Sequence, residues 1–125
     1  MKELVLKKCK KCNALIKVIE DCMCENCRVK CCNEEMETLI PNKTDASFEK
    51  HVPNITKEND EVRITVNHVM EEDHYITSIT YKDEKLEITK ELKPGDKPEL
   101  KVPYEGKAKA YAYCNLHSIW EKDID

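Results

Sequence analysis

The chain has 125 residues, of which 37% are charged and 6% aromatic, and a formal net charge of -4. This length allows one ordinary domain, or a small module joined to a domain of about 90 residues. The composition gives no electrostatic case for nucleic-acid binding, and no stretch approaches the roughly 20 apolar residues that a membrane span needs.

The N-terminal segment, to about residue 36, is rich in cysteine. No apolar run of signal-peptide length precedes it, so we expect a cytoplasmic protein, in which thiols are more often metal ligands than disulfides. A segment this short buries little core, so a bound metal would also stabilise its fold. The cysteines fall into three groups: CKKC (Cys9, Cys12), CMCENC (Cys22, Cys24, Cys27) and CC (Cys31, Cys32).

The spacing of these cysteines indicates a tetrahedral four-cysteine metal site. The C-x-x-C of the first group lets two thiolates of one turn reach an ion about 2.3 Å away. The second pair is open at this point. Cys24 and Cys27 form another C-x-x-C, which is typical of a zinc ribbon, whereas Cys31 and Cys32 are adjacent. Three cysteines remain spare under either assignment.

A connector and a strand follow. Residues 39–55 mix Pro, Asn, Thr and Asp, which is typical of a connector with one short helical turn. After it, the stretch VRITVNHVM (62–70) alternates apolar and polar residues, with one histidine on the apolar face. It predicts a half-buried strand with inward-facing side chains. These are Val62, Ile64, Val66, His68 and Met70.

The remaining segments predict further short strands. HYITSITY (74–81) and KLEITKEL (85–92) form a predicted hairpin, and LKPGDKPEL supplies a Pro-Gly turn before ELKVPY and KAKAYAYC. Strands at this spacing, without an amphipathic helix, predict a mainly β protein with an antiparallel sandwich. The acidic tail after Trp120 is predicted to be a solvated end.

All four histidines lie in this second segment, near predicted strand ends or loops. The eighth cysteine, Cys114, stands three residues before a histidine in YCNLHSIW. Four neutral imidazoles and one thiolate would make a five-coordinate centre with an open sixth position, suited to redox chemistry on a small oxygen ligand. The histidines are His51, His68, His74 and His117.

Two other functions fit parts of this pattern. Cys-x-x-His near the end of a β-sandwich also describes a cupredoxin-like electron carrier. However, no axial methionine follows His117, and three upstream histidines exceed what a blue-copper site uses. The other alternative is a non-enzymatic zinc module joined to an immunoglobulin-like binding domain, which leaves the pairing of Cys114 with His117 unexplained.

Six motifs occur in an order and spacing that match a known family. They are CKKC (9–12), CCNEEM (31–36), EKHVP (49–53), HVMEEDH (68–74), LKPGDKPE (92–99) and YCNLHSIW (113–120). Over nearly its whole length, the chain resembles desulfoferrodoxin, the two-iron class of superoxide reductase.

The resemblance implies a domain organisation and two metal sites. Residues 1–37 would form a desulforedoxin-like metal module with four cysteine ligands, and residues 38–125 an immunoglobulin-like antiparallel β-sandwich that carries the catalytic iron. Each chain would hold two irons, with zinc as the alternative metal in the first site. The implied ligands of the first site are Cys9, Cys12, Cys31 and Cys32. Those of the second are His51, His68, His74 and His117 in the equatorial plane and Cys114 on the axis.

The resemblance also implies an activity, the one-electron reduction of superoxide to hydrogen peroxide, which detoxifies reactive oxygen. Lys50 resembles the family lysine that steers superoxide, and Glu49 the carboxylate that occupies the sixth position of the resting ferric site. Backbone N–H groups of Asn115 and Leu116 are expected to hydrogen-bond the Cys114 sulfur. An electron donor such as rubredoxin or a reductase, and a second copy in a homodimer, are the implied partners.

Some positions depart from the family pattern, although none of them removes a ligand. Asn13, Asn33 and Ser118 stand where the family usually has glycine. Asparagine is the next most tolerant residue of a left-handed backbone, so the two asparagines suit such turns. Val69 replaces a common proline, and Tyr75 a common tryptophan.

Overall fold

The computed structural model describes residues 2–25, 28–43 and 48–125. The chain divides into two compact units, Lys2–Ile40 and Pro41–Asp125. Among the described residues, the only helix is the three-residue 3-10 helix Phe48–Lys50, and all other regular structure is β. The predicted mainly β fold class is confirmed. No helix in these ranges has the length and apolar character that crossing a membrane requires.

The unit Lys2–Ile40 contains short strands only: β1 (Val5–Lys8), β2 (Leu15–Val18), β3 (Lys30–Cys31), β4 (Glu34–Glu35) and β5 (Glu37–Thr38). One antiparallel sheet has the order β2-β1-β5, and β3 pairs with β4 in a second. Its buried apolar residues among those described are Leu6, Cys9 and Met36. So small an interior needs another source of stability.

The unit Pro41–Asp125 is a two-layer antiparallel sandwich. Its strands are β6 (Asn54–Glu58), β7 (Glu61–Thr65), β8 (Ile76–Lys82), β9 (Glu87–Glu91), β10 (Glu99–Pro103), β11 (Ala108–Cys114) and β12 (Ser118–Ile124). One sheet has the order β10-β7-β6 and the other β12-β11-β8-β9. Fully buried side chains of both sheets form one core, including Val62 and Ile64 from β7 and Ile79 and Ala110 from β8 and β11. The β8–β9 hairpin lies where the sequence predicted it.

The strand predicted over residues 62–70 is shorter than expected. Val62, Ile64 and Val66 are buried, but β7 ends at Thr65, so His68 lies in the loop beyond it rather than on a strand. The β7–β10 ladder ends where Val66 N–H donates to Pro98 O at 3.1 Å. Proline has no N–H with which to return that bond, so the pairing stops there.

The prediction of a solvated C-terminal tail is wrong. Ser118–Ile124 forms β12, which pairs along β11, and Ile124 is buried in the core. Of the charged residues that suggested a tail, Glu121 and Asp123 share one face of the sheet with Lys109 on β11, whose Nζ lies 3.5 Å from Glu121 and 3.7 Å from Asp123. Cross-strand pairs of opposite charge support such a strand.

Candidate metal centres

Four histidines and one cysteine converge in the sandwich unit. His51 follows the 3-10 helix directly, His68 and His74 lie in the β7–β8 loop, Cys114 ends β11, and His117 lies in the turn between β11 and β12. One nitrogen or sulfur atom of each lies within 4.8 Å of all the others. The sequence therefore brings residues from three separate segments to one point.

The imidazole nitrogens are arranged as a ring. His51 Nε2 lies 3.2 Å from His68 Nε2 and 3.0 Å from His117 Nδ1. His117 Nδ1 lies 3.3 Å from His74 Nε2, and the rings of His74 and His68, with centroids 4.6 Å apart, close the circle. A metal bound about 2.1 Å from four nitrogens in a square would space neighbouring nitrogens about 3.0 Å apart. The ring has the size of such a plane.

The sulfur of Cys114 lies close to two nitrogens of the ring. Cys114 is fully buried, and its Sγ lies 3.5 Å from His68 Nε2 and 3.8 Å from His117 Nδ1. These two nitrogens occupy opposite corners of the ring, so a sulfur near both lies close to its axis. These distances fit a square pyramid with the sulfur at its apex. That they bind a metal stays a prediction.

The chemistry of this donor set fits a metal ion better than it fits protons. Burial lowers the pKa of His68. Burial also lowers the pKa of His117, and the neighbouring His51 and His74 add to the effect. Burial and the neighbouring imidazoles disfavour protonation of these rings, whereas neutral imidazole nitrogens that face one centre are well placed to bind a metal cation. Imidazoles with one thiolate suit transition metals such as iron, copper and zinc.

Contacts behind the ring orient its members. His68 Nδ1–H donates to Val69 O at 2.5 Å, which leaves Nε2 as the nitrogen that faces the centre. The fully buried Trp120 donates from Nε1–H to His117 O at 2.9 Å and stacks its ring on His51, with centroids 4.9 Å apart. Such contacts commonly fix metal-binding histidines. The sequence carries no short-range signal of these contacts of Trp120.

The second cluster lies in the Lys2–Ile40 unit. The sulfurs of Cys9, Cys12, Cys31 and Cys32 all lie within 4.8 Å of one another. Cys31 Sγ lies 3.6 Å from Cys12 Sγ and 3.9 Å from Cys32 Sγ. A tetrahedron of sulfurs about 2.3 Å from a metal has edges of about 3.8 Å. The cluster therefore has the size of a four-thiolate metal site.

The thiols of this cluster do not ionise alike. The backbone N–H of Cys12 lowers the pKa of Cys9 to about 7. A side-chain hydrogen bond with Cys12 raises the pKa of Cys31 to about 12. A side-chain hydrogen bond between Cys32 and Cys12 likewise raises the pKa of Cys32. Four crowded sulfurs cannot all become thiolates without a cation between them. A bound metal would remove that conflict.

The turns around both clusters use left-handed backbone. Asn13 and Asn33, each directly after a cysteine of the cluster, have φ of 64°, as their place in the family pattern implied. Asn13 N–H donates to Cys9 O at 3.0 Å, which closes the first turn. Ser118, directly after His117, has φ of 66°. Serine incurs a steric penalty there that glycine does not.

The other candidate residues lie outside the two clusters. Glu49 and Lys50 are exposed on the 3-10 helix next to His51. The Glu49 carboxylate is not among the converging donor atoms of the described residues. Cys24 is a free, exposed thiol that the four-cysteine group does not include. Cys27, its partner in the zinc-ribbon alternative, lies outside the described residues.

One expected contact differs. The backbone N–H of Asn115 was expected to hydrogen-bond the Cys114 sulfur, but it donates to Tyr75 O at 3.2 Å. The backbone here prolongs the pairing of β11 with the start of β8. No short-range pattern in the sequence could have identified this partner, because Tyr75 lies far away in the sequence, directly before β8.

These features define a class of β protein with two candidate mononuclear metal centres. One centre consists of four histidines and one cysteine in a two-layer antiparallel sandwich. The other consists of four cysteines in a small unit that precedes the sandwich in the sequence. The family model for desulfoferrodoxin matches residues 43–123. The chain is 37% identical to desulfoferrodoxin of Syntrophotalea carbinolica, with 97% of both chains covered. It is 35% identical to a desulfoferrodoxin homolog of Archaeoglobus fulgidus, covering 91% of this chain and 92% of the relative. The chain belongs to the desulfoferrodoxin family.

Solved structures agree with this assignment. The superoxide reductase of Treponema pallidum superposes with a TM-score of 0.72 at 27% identity, covering 97% of this chain and 99% of that one. A one-iron superoxide reductase of Giardia intestinalis gives a TM-score of 0.53 at 28% identity. That match covers 62% of this chain and 98% of the Giardia protein.

Proposed function

We propose that the protein is a superoxide reductase. The net reaction adds one electron and two protons to superoxide and gives one hydrogen peroxide. The observation that carries this proposal is the convergence of four imidazole nitrogens and the Cys114 sulfur on one centre, in a chain of the desulfoferrodoxin family. The solved relatives that carry the name superoxide reductase support it.

Iron is the metal proposed for both clusters. When bound to the four histidines and Cys114, ferrous iron would supply the electron that superoxide accepts. Residues 38–125 would be the catalytic domain. Residues 1–37 would hold a second iron, or zinc in its place, on Cys9, Cys12, Cys31 and Cys32, where the metal would stabilise a unit with little core of its own.

The side chains next to the centre have proposed roles. The buried Cys114 would bind the metal through its sulfur and donate electron density to it. Lys50 is exposed and adjacent to His51, where its ammonium group would attract the superoxide anion and, through water, deliver protons. Glu49 would place its carboxylate at the sixth position in the resting oxidised state.

The two alternative functions have less support. A blue-copper carrier uses two histidines and one cysteine in a trigonal site, whereas here four imidazoles face the centre. A non-enzymatic zinc module with a binding domain gives no reason for five donors to converge in the sandwich.

We propose a cytoplasmic homodimer that receives electrons from rubredoxin or a reductase and has no nucleic-acid or membrane partner.

The proposal is tested with a matched pair of substitutions, one in each cluster. Superoxide decay is followed by stopped flow with iron-loaded, reduced protein. Cys114→Ser should lower the rate by more than about 10-fold, the lower end of what even an outer contact of a metal site costs. Cys12→Ser makes the same chemical change in the other cluster and should retain the rate. A wild-type rate in Cys114→Ser would contradict the proposed centre.

A further inference from the structure

The position of His74 needs a link to the rest of the site. His74 pairs with Glu71 through two backbone hydrogen bonds, of 3.0 and 3.3 Å. These bonds close a tight turn within the β7–β8 loop. They fix His74 relative to its own loop, but not relative to Cys114 and His117, which belong to another part of the chain.

Asn115 supplies that link. Its side-chain Oδ1 accepts a hydrogen bond from Tyr75 N–H at 3.0 Å, and its Nδ2 donates to Asp73 O at 2.9 Å. Its backbone N–H donates to Tyr75 O at 3.2 Å. Asp73 and Tyr75 are the two neighbours of His74, so one residue holds the chain on both sides of that histidine.

The site of this contact follows from the strand register. β11 pairs with β8 up to Cys114, which opposes Ile76, and the register shifts between Tyr113 and Cys114. A bulge of this kind redirects side chains and ends regular pairing. Directly beyond the bulge, the backbone N–H of Asn115 still bonds to the segment before β8. The side-chain amide of Asn115 makes the two hydrogen bonds that the peptide group of a further paired residue would make. A side-chain amide carries a donor and an acceptor on separate atoms, as these two contacts require.

We propose that Asn115 is a positioning residue, whose side-chain amide fixes His74 against the Cys114–His117 turn so that the donors lie in place before a metal binds. The inference rests on the proposed metal centre, not on the reaction that the centre performs. Preorganised ligands bind a metal more tightly because less ordering remains to be done on binding.

The test uses zinc as the probe and the full chain. Zinc is titrated in competition with a chelator, and the NMR signals of the His74 and His117 amides report this centre separately from the cysteine cluster. Asn115→Ala should weaken zinc binding by about 10- to 100-fold. Asn115→Ser, which is too short to make both contacts, should do the same and replaces the alanine variant if that one does not fold. Asn54→Ala, which changes an exposed asparagine on β6, is the matched control and should bind zinc as wild type does.

Hydrogen exchange at the Tyr75 amide gives a second measurement that is independent of metal. Exchange in the metal-free protein should be at least about tenfold faster in Asn115→Ala, since the amide loses its acceptor. Asn115→Asp keeps that acceptor and should keep the amide protected.

Zinc affinity in Asn115→Ala within about twofold of wild type, or unchanged exchange at Tyr75, would overturn the proposal. Because no superoxide is used, a protein without reductase activity would leave the role of Asn115 standing. Conversely, unchanged zinc binding in the variants would leave the proposed reaction standing.

Discussion

Replacing Ser118 with glycine should stabilise the sandwich. Ser118 has φ of 66°, a left-handed conformation that costs a residue with a Cβ roughly 1–2 kcal/mol. Glycine removes that cost but loses roughly 0.5–1 kcal/mol in extra chain entropy on folding. The difference is a stabilisation of about 0.7 kcal/mol. For a domain of this size it corresponds to a rise in the unfolding midpoint of about 3–6 °C.

The assay is thermal unfolding of the metal-free protein, so that metal affinity does not enter. The chain has one tryptophan, Trp120, which is buried in the sandwich, so its fluorescence reports this unit. Ser78→Gly is the matched control because Ser78 lies within strand β8, where glycine should lower the midpoint. If Ser78→Gly lowers the midpoint and Ser118→Gly fails to raise it, the argument from backbone strain is refuted.

Two further predictions concern pH and charge. Burial lowers the pKa values of His68 and His117, so the unfolded chain takes up protons near pH 6.5 that the folded chain excludes. The urea midpoint of the sandwich unit, followed by Trp120 fluorescence in the metal-free protein, should therefore change little just above about pH 6.5 and fall below it; a midpoint that rises on acidification would contradict this. Lys50→Ala should lower the second-order rate with superoxide and weaken its dependence on ionic strength, whereas Lys122→Ala, on β12, should leave both unchanged. If both lysine substitutions lowered the rate equally, the rate would depend on the net charge of the protein and not on the position of Lys50.

Short-range patterns in the sequence predicted much of the fold. The alternation at Val62, Ile64 and Val66 identified one buried face, and the hairpin of β8 and β9 followed from two apolar stretches around a polar turn. The two asparagines after cysteines predicted left-handed turns because few residues tolerate that conformation. In each case, the cause of the structure lies within a few residues.

What the sequence did not predict depends on distant partners. β7 ends at Thr65 because Pro98, on the neighbouring chain segment, cannot return a hydrogen bond. The charged end of the chain is a strand because it pairs along β11 and buries Trp120 and Ile124, while Lys109 lies near its acidic residues across the sheet. Likewise, Asn115 bonds to residues about 40 positions earlier, and an isolated asparagine carries no signal of such a partner.

The candidate site falls between these cases. Its residue types and spacing identified the donors, and the resemblance to desulfoferrodoxin grouped them. The ring of imidazole nitrogens and the sulfur beside it became visible only from the distances between His51, His68, His74, His117 and Cys114. Trp120 contacts His51 and His117, but its position in the sequence does not indicate these contacts.

The central claim is tested most directly by the amount of hydrogen peroxide formed per superoxide consumed. The measurement uses iron-loaded, fully reduced protein with a continuous electron donor and no catalase. Reduction predicts a ratio near one, with little oxygen released, because each superoxide takes one electron and two protons. A ratio near one half, with oxygen released, would mean dismutation and would contradict the proposed function.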